Sequence, residues 1–351
     1  MQGITVGDKT SKFPIIQGGM GVGVSMHKLA GTVAKEGGIG IISAADIGYQ
    51  EEDFDKNPLE ANLRAIGKEI IKAREIAGDS GIVGINIMVA LSDYAEIVKE
   101  SVKQKVDLII SGAGLPKDLP VYVKGTKTQI APVVSSARAC KLITEMWMKK
   151  YDYVPDMIVV EGPEAGGHLG FKVEELEKEI KIEDITREVV EYIKEVEKKA
   201  NKKIPVISAG GIFDGNDIKK MLEAGASGVQ MATRFVATDE CDAAYEFKKA
   251  YVDAKKEDVK IIKSPVGMPG RAIYNEFLKK ISLGTDKITR CYRCIKSCDL
   301  SSAKYCITKA LVNAVKGDVN EGLIFCGSNV DKINKIVPVH ELMQELVCEF
   351  E

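Results

Sequence analysis

A rhythm most restricts what this 351-residue chain can fold into: short apolar, β-branched runs, each ending in glycine or a polar residue and each followed by a helical stretch. Eight such runs precede residue 240: Phe13–Gln17, Ile39–Ala44, Gly81–Val89, Val106–Ile110, Gln129–Ser135, Met157–Glu161, Ile204–Ser208 and Gly228–Phe235. Runs this apolar suit strands covered on both faces, as in a parallel sheet. Between them the pattern predicts helices over His27–Lys35, stopped by Gly37 and Gly38, and over Leu59–Ala77 behind Asn57-Pro58. Further helices are expected from a Ser92 cap to about Lys105, over Arg138–Lys149, and over Asp214–Ala224, closed by Gly225. Glu174–Lys203 reads mostly as amphipathic helix, long enough for an extra turn or a small lid. Eight strand–helix units in series point to an α/β fold, a (β/α)8 TIM barrel rather than an open doubly wound sheet. Residues 1–240 would form the barrel. Residues 241–351 would form a smaller, mainly helical C-terminal subdomain, with a helix from Ala272, packed on the barrel because it is short of core alone.

Charge removes several classes of function. Lys+Arg 49 against Asp+Glu 51 leaves a formal charge of −2, so there is no global basic field for nucleic acid. No apolar run approaches the ~20 residues that span a bilayer. The first residues, MQGITVGDKTSK, lack the apolar core of a signal peptide. Eight cysteines, four of them bunched late, do not resemble a secreted disulfide framework. A cytoplasmic protein with reduced thiols, without nucleic-acid or membrane partners, is the expectation.

Candidate chemistry concentrates where runs end. The sixth leads into EGPEAGGHLG, which presents His168, one of three histidines, among Gly166, Gly167 and Gly170, with Glu161 and Glu164 close by. A strand running into a glycine loop that carries an imidazole is how an α/β enzyme mounts a general acid or base at the carboxyl edge of its sheet. Ala209-Gly210-Gly211 after the seventh run, and Gln230-Met231-Ala232-Thr233 in the eighth, occupy the places where barrels cradle a phosphate on backbone N–H groups. That cradle suits a sugar phosphate or a flavin mononucleotide. The first loop favours the flavin: Gly18, Gly19 and Met20 offer bare backbone to a flat ring, with Asn86 and Gln230 as neutral hydrogen-bonding side chains.

Taken in order, Pro14–Met20, Gly84–Asn86, Ser111–Gly114, Glu161–His168, Ala209–Gly211 and Gln230–Phe235 resemble the nitronate monooxygenase (2-nitropropane dioxygenase) family, which includes the flavin-dependent enoyl-acyl carrier protein reductases. The likeness covers the barrel and resumes near 322–347. It implies non-covalent FMN in a TIM barrel, with His168 matching the family's motif histidine. It departs at Ala232, where the family commonly has Gly, and in the cysteine-bearing insert. The resemblance implies oxidation of alkyl nitronates with O2, His168 taking or steadying a proton next to the nitro group. The alternative is an NAD(P)H-dependent enoyl thioester reductase, and a small-molecule substrate is expected in either case. Participation of NAD(P)H and assembly as a homodimer stay open at this level. Cys291, Cys294, Cys298 and Cys306 have a C-x2-C-x3-C-x7-C spacing that fits no standard zinc or ferredoxin pattern, so no metal ligand is assigned. His27 and His340 read as surface or capping residues.

Overall fold

β-Branched residues covered on both faces make the eight runs strands, and in the computed structural model, which describes residues 2–350, they close into one parallel barrel. The strands are β1 (Ile15–Gln17), β2 (Ile39–Ser43), β3 (Ile82–Met88), β4 (Leu108–Gly112), β5 (Gln129–Val134), β6 (Ile158–Glu161), β7 (Val206–Ala209) and β8 (Gly228–Met231). Closure comes from β8 returning to β1, with Val229 opposite Ile15 and Gln230 opposite Ile16. Gln17 secures the next joint: its side chain donates to the Ile41 carbonyl and accepts from the Ile41 N–H, both at 3.1 Å.

Side chains alternate along each strand, so every second residue faces the lumen. Ile16, Ile39, Ile41, Ile82, Leu108, Ile110, Ala131, Val159 and Ile207 fill it as a cluster separate from the outer core. An N-terminal hairpin, Thr5–Val6 against Lys9–Thr10, seals the bottom with Ile4 and Val6. The intervening residues, among them Ile42, Ile85, Ile109, Ile158 and Val160, meet the surrounding helices. Fully burying one such side chain contributes about 1.5–3 kcal/mol. The barrel is therefore a packed solid, and only its carboxyl end is open.

Three local expectations are corrected and one is made definite. The eighth strand stops at Met231, and Thr233–Val236 turns helical, because Ala232 sits at φ −124°, ψ −60° and breaks the extended backbone. Ser92 is not a cap; the helix Tyr94–Lys103 begins after Asp93, and the Ser92 N–H donates to the Cys294 carbonyl at 3.0 Å. The stretch from Glu174, read as mostly helix with room for an extra turn, is a short helix Val173–Leu176 followed by a long one, Ile182–Ala200, the break bringing Ile182 against Gly162 at the end of β6. Around Ala272 there is strand, not helix. Pro269–Ile273 pairs with Val259–Lys263 on one side and Gly167–His168 on the other, and the next helix, Glu276–Leu283, starts from an Asn275 cap.

The C-terminal part carries the helices Tyr245–Asp253, Glu276–Leu283, Ile307–Val315 and Val339–Phe350. It also finishes barrel helices. Asp242 accepts the N–H of Met26 at 2.8 Å and of Leu29 at 3.2 Å, at the start of the helix His27–Lys35. Glu349 accepts from the Gly215 N–H at 2.7 Å, at the start of the helix Gly215–Glu223. These helix-terminal donors have no partner within their own helices. No helix among the described residues is long and apolar enough to cross a membrane.

Candidate active site

The lumen alternation sets the floor of the site. Continued one step past the apolar layers, it brings Ser43, Asn86, Gly112, Val133, Glu161, Ala209 and Gln230 to the open end. Register levels them: Glu161 lies opposite Ala209, and Ala209 opposite Gln230. Of this layer only Glu161 can ionise. Above it is a cavity of about 250 Å³, and every residue singled out from the sequence lines it: Gly18, Gly19, Met20, Asn86, Glu161, Gly166, Gly167, His168, Ala209, Gly210, Gly211, Gln230, Met231, Ala232 and Thr233.

Several glycines at the wall make room for a specific neighbour. A Cβ on Gly19 would stand 2.4 Å from the Asn86 Cβ, and one on Gly18 3.2 Å from the Gln230 side chain. Gly210 and Gly211 have φ of +93° and +81°, a region L side chains rarely adopt. That turn leaves their N–H groups with no backbone acceptor among the described residues. Ala232 has a negative φ, so its methyl group is unstrained where the family commonly has Gly. Met20 lines the cavity from a loop whose turn is held by its backbone N–H, which donates to Ser25 Oγ at 2.8 Å. Gln230 Oε1 is shielded from solvent and has no hydrogen-bond partner, and the same holds for Ser328 Oγ, which lines the same cavity. A buried acceptor left unmade costs about 1–3 kcal/mol, so its pairing with a ligand donor recovers that penalty.

His168 is fixed by chain from beyond the barrel. Its backbone pairs with Gly270, the following Leu169 N–H donates to Pro269 O at 2.9 Å, and its ring packs edge-on to Phe325 with centroids 4.9 Å apart. Nε2 shares a 2.7 Å hydrogen bond with Ser264 Oγ, a buried hydroxyl that also accepts from the Val266 N–H at 3.3 Å. Burial penalises the imidazolium and pushes the His168 pKa down to about 4, so the ring is neutral near pH 7. Glu161 is shifted the opposite way for the same reason, up to about 7. Both side chains retain some access to water through the cavity while protein surrounds them. A neutral imidazole and a half-protonated carboxyl at one mouth are groups that can exchange protons with a bound molecule.

Sequence reasoning missed the roof. Tyr251, Phe325, Cys326, Gly327, Ser328 and Asn329 close over the glycine cradle. The Gly327 N–H donates to Thr233 Oγ1 at 3.0 Å, and Asn329 donates to Gly211 O at 2.7 Å. The only signal for this segment in the sequence was the likeness resuming near 322. The cysteine insert lies across the mouth on the side of β2 and β3. Tyr292 stacks on Phe54 at 5.3 Å, the Lys296 N–H donates to Ala90 O at 3.0 Å, and Ser297 Oγ donates to Val266 O at 3.0 Å. Cys291 is exposed and Cys294, Cys298 and Cys306 are half-buried. Among the described residues no group of three or more His, Cys, Asp and Glu side chains is placed to hold a metal ion. His27 pairs with Glu69 at 2.6 Å and His340 with Glu36 at 2.7 Å, both away from the cavity.

A closed parallel barrel with a glycine-walled mouth that holds a neutral imidazole beside a raised-pKa carboxyl defines a TIM-barrel enzyme. The nitronate monooxygenase family profile matches residues 5–349, and the chain belongs to that family of oxidoreductases. A probable nitronate monooxygenase of Staphylococcus saprophyticus is 28% identical over 310 residues, 79% of this chain and 80% of the relative. A carboxyl-CoA dehydrogenase of Mycobacterium tuberculosis acting on a hydroxy-methyl-oxo-octahydroindene is 25% identical over 272 residues, 78% of this chain and 66% of that one. Among solved structures, FabK of Thermotoga maritima superimposes with a TM-score of 0.73 at 26% identity, covering 97% of this chain and 93% of that one.

Proposed function

We propose that this chain is an FMN-dependent oxidoreductase that oxidises alkyl nitronates with O2, with His168 as its acid/base. The observation that carries the reading is the buried, unpartnered Gln230 Oε1 facing the cavity beside the positive-φ glycine pair. The residues present fit FMN. Gly18, Gly19, Met20, Asn86, Glu161, Gly166 and Gly167 would surround the ring, with Gln230 accepting a ring N–H. Ala209, Gly210, Gly211, Met231, Ala232 and Thr233 would hold the phosphate end. Glu164 is the one dissonant group. A Cβ on Gly211 would stand 2.3 Å from its Oε2, so this exposed carboxylate has to turn outward when an anion sits there.

Bound FMN supplies electron acceptance from the substrate and the reaction with O2. The protein's part is proton handling and shelter. In the tautomer whose Nε2–H donates to Ser264 Oγ, the His168 Nδ1 lone pair is free to take the α-proton of a neutral nitroalkane, the step that generates the nitronate, and the protonated ring then faces the nitronate anion. Its low pKa keeps that lone pair available well below neutral pH. The similarity to FabK favours a second reading, an NAD(P)H-dependent enoyl-acyl carrier protein reductase on the same cofactor.

Anaerobic flavin absorbance separates the two. Propionate 3-nitronate is expected to bleach the flavin rapidly, and NADH and NADPH to leave it oxidised. Rapid bleaching by a nicotinamide alone transfers the assignment to the reductase.

A further inference from the structure

A second cavity, of about 380 Å³, adjoins the first and shares His168 and Glu161 with it. The cofactor reading above leaves it unused, since the glycine cradle and Gln230 all lie in the first cavity. Its volume is within the range that takes a small organic group, against about 30 Å³ for a water. Its wall comes from the loop after β4, the end of β5 and the first turns of the helix Ala137–Tyr151. Leu115, Leu142 and Met268 present apolar surface to it, and Leu142 is 51% exposed, an aliphatic side chain left partly in water at the rim.

One basic residue stands on this wall. Arg138 occupies the first turn of the helix, where the backbone dipole favours acids and a cation costs about 0.3–1 kcal/mol. No acid accompanies it in that turn. It is exposed and outside the ion pairs of this helix, which join Lys149 to Glu145 and Lys150 to Asp118. Helix stability gains nothing from a cation here, and the exposed guanidinium is free for a ligand anion in the cavity, which would meet both it and the positive end of the helix.

We propose that the second cavity holds the non-reacting arm of the substrate, an aliphatic chain of several carbons ending in an anionic group that pairs with Arg138. The reactive carbon then lies at the junction of the two cavities, beside His168. This rests on the function proposed above and adds the substrate's class to it: anionic, medium-chain aliphatic compounds over short or neutral ones. Arg138 and Leu142 become the residues that set specificity.

Two measurements test it. In steady-state kinetics, five-carbon nitronates ending in a carboxylate or a methyl group are compared in the parent protein and in Arg138→Ala and Arg138→Glu. The parent is expected to favour the carboxylate by tenfold or more in kcat/KM, and the ratio to fall toward one in Arg138→Ala and to invert in Arg138→Glu, with the change in KM rather than kcat. Calorimetric titration with hexanoate and hexanol reads the site without turnover, and Arg138→Ala is expected to weaken hexanoate about tenfold. Nitronate turnover with a selectivity ratio near one in all three proteins overturns this inference and leaves the function standing. Arg138-dependent hexanoate binding without turnover of any nitronate upholds the chamber and removes the function. Hexanoate binding unaffected by either variant also overturns the inference.

Discussion

His168 and Glu161 stand at one barrel mouth with opposite protonation habits, and burial explains both. If His168 is the base, Asn in its place removes the proton acceptor while keeping a polar side chain. His168→Asn is expected to lower turnover by ~10² to 10⁴ with flavin content unchanged; full activity in that variant removes the assignment. The acid limb of kcat/KM should fall near pH 4 to 5, where the imidazole protonates, rather than near its ordinary 6.5. Glu161 gives a stability prediction. Its pKa rises from 4.5 unfolded to about 7 folded, so between those values the folded protein holds the extra proton and stability declines as pH rises. Glu161→Gln removes that decline. Urea denaturation should find the variant more stable than the parent at pH 8 by roughly 2–3 kcal/mol, with the difference gone near pH 4; an equal difference at both pH values contradicts the shift.

Among the elements, the hairpin Val259–Lys263 with Pro269–Ile273 is the one that turns a loop histidine into a placed one. Ser264, at its bend, holds the ring through its 2.7 Å hydrogen bond to Nε2, so Ser264→Ala should reduce turnover about tenfold, less than His168→Asn, with flavin retained. No loss at all would make the hydrogen bond incidental. This hairpin also marks the limit of what the sequence discloses. The eight barrel strands were legible because each is a short, mostly apolar run that ends in glycine or a polar residue and is followed by a helical stretch, and the cradle because Gly210-Gly211 and Gln230-Met231-Ala232-Thr233 end two of them. Pro269–Ile273 was read as loop and helix, since Pro269, Gly270 and Arg271 carry no strand signal; one neighbour is the adjacent arm Val259–Lys263, and the other is Gly167–His168, about 100 residues earlier in the chain. Ser92 looked like a cap because caps are recognised locally, whereas its N–H is claimed by Cys294 from the distant insert. Local period reveals elements. It does not reveal which remote segment completes them.

For the molecule as a whole, residues beyond 240 supply the roof of the cavity, the hairpin behind His168 and the caps from Asp242 and Glu349. Gly166 is so close to Cys326 that a Cβ there would lie 2.6 Å from its carbonyl carbon. A barrel and a C-terminal part joined this tightly should unfold together, giving a single calorimetric transition; two separable transitions would mean that the barrel stands alone. The central claim is that the mouth of this barrel is a flavin site, and the direct measurement is flavin stoichiometry. Protein purified under native conditions and then denatured should release close to one FMN per chain. Gln230→Leu, which puts an apolar group where the unpartnered amide oxygen faces the cavity, should retain far less. A folded protein that is colourless, and that takes up no FMN when the cofactor is added, would contradict the account.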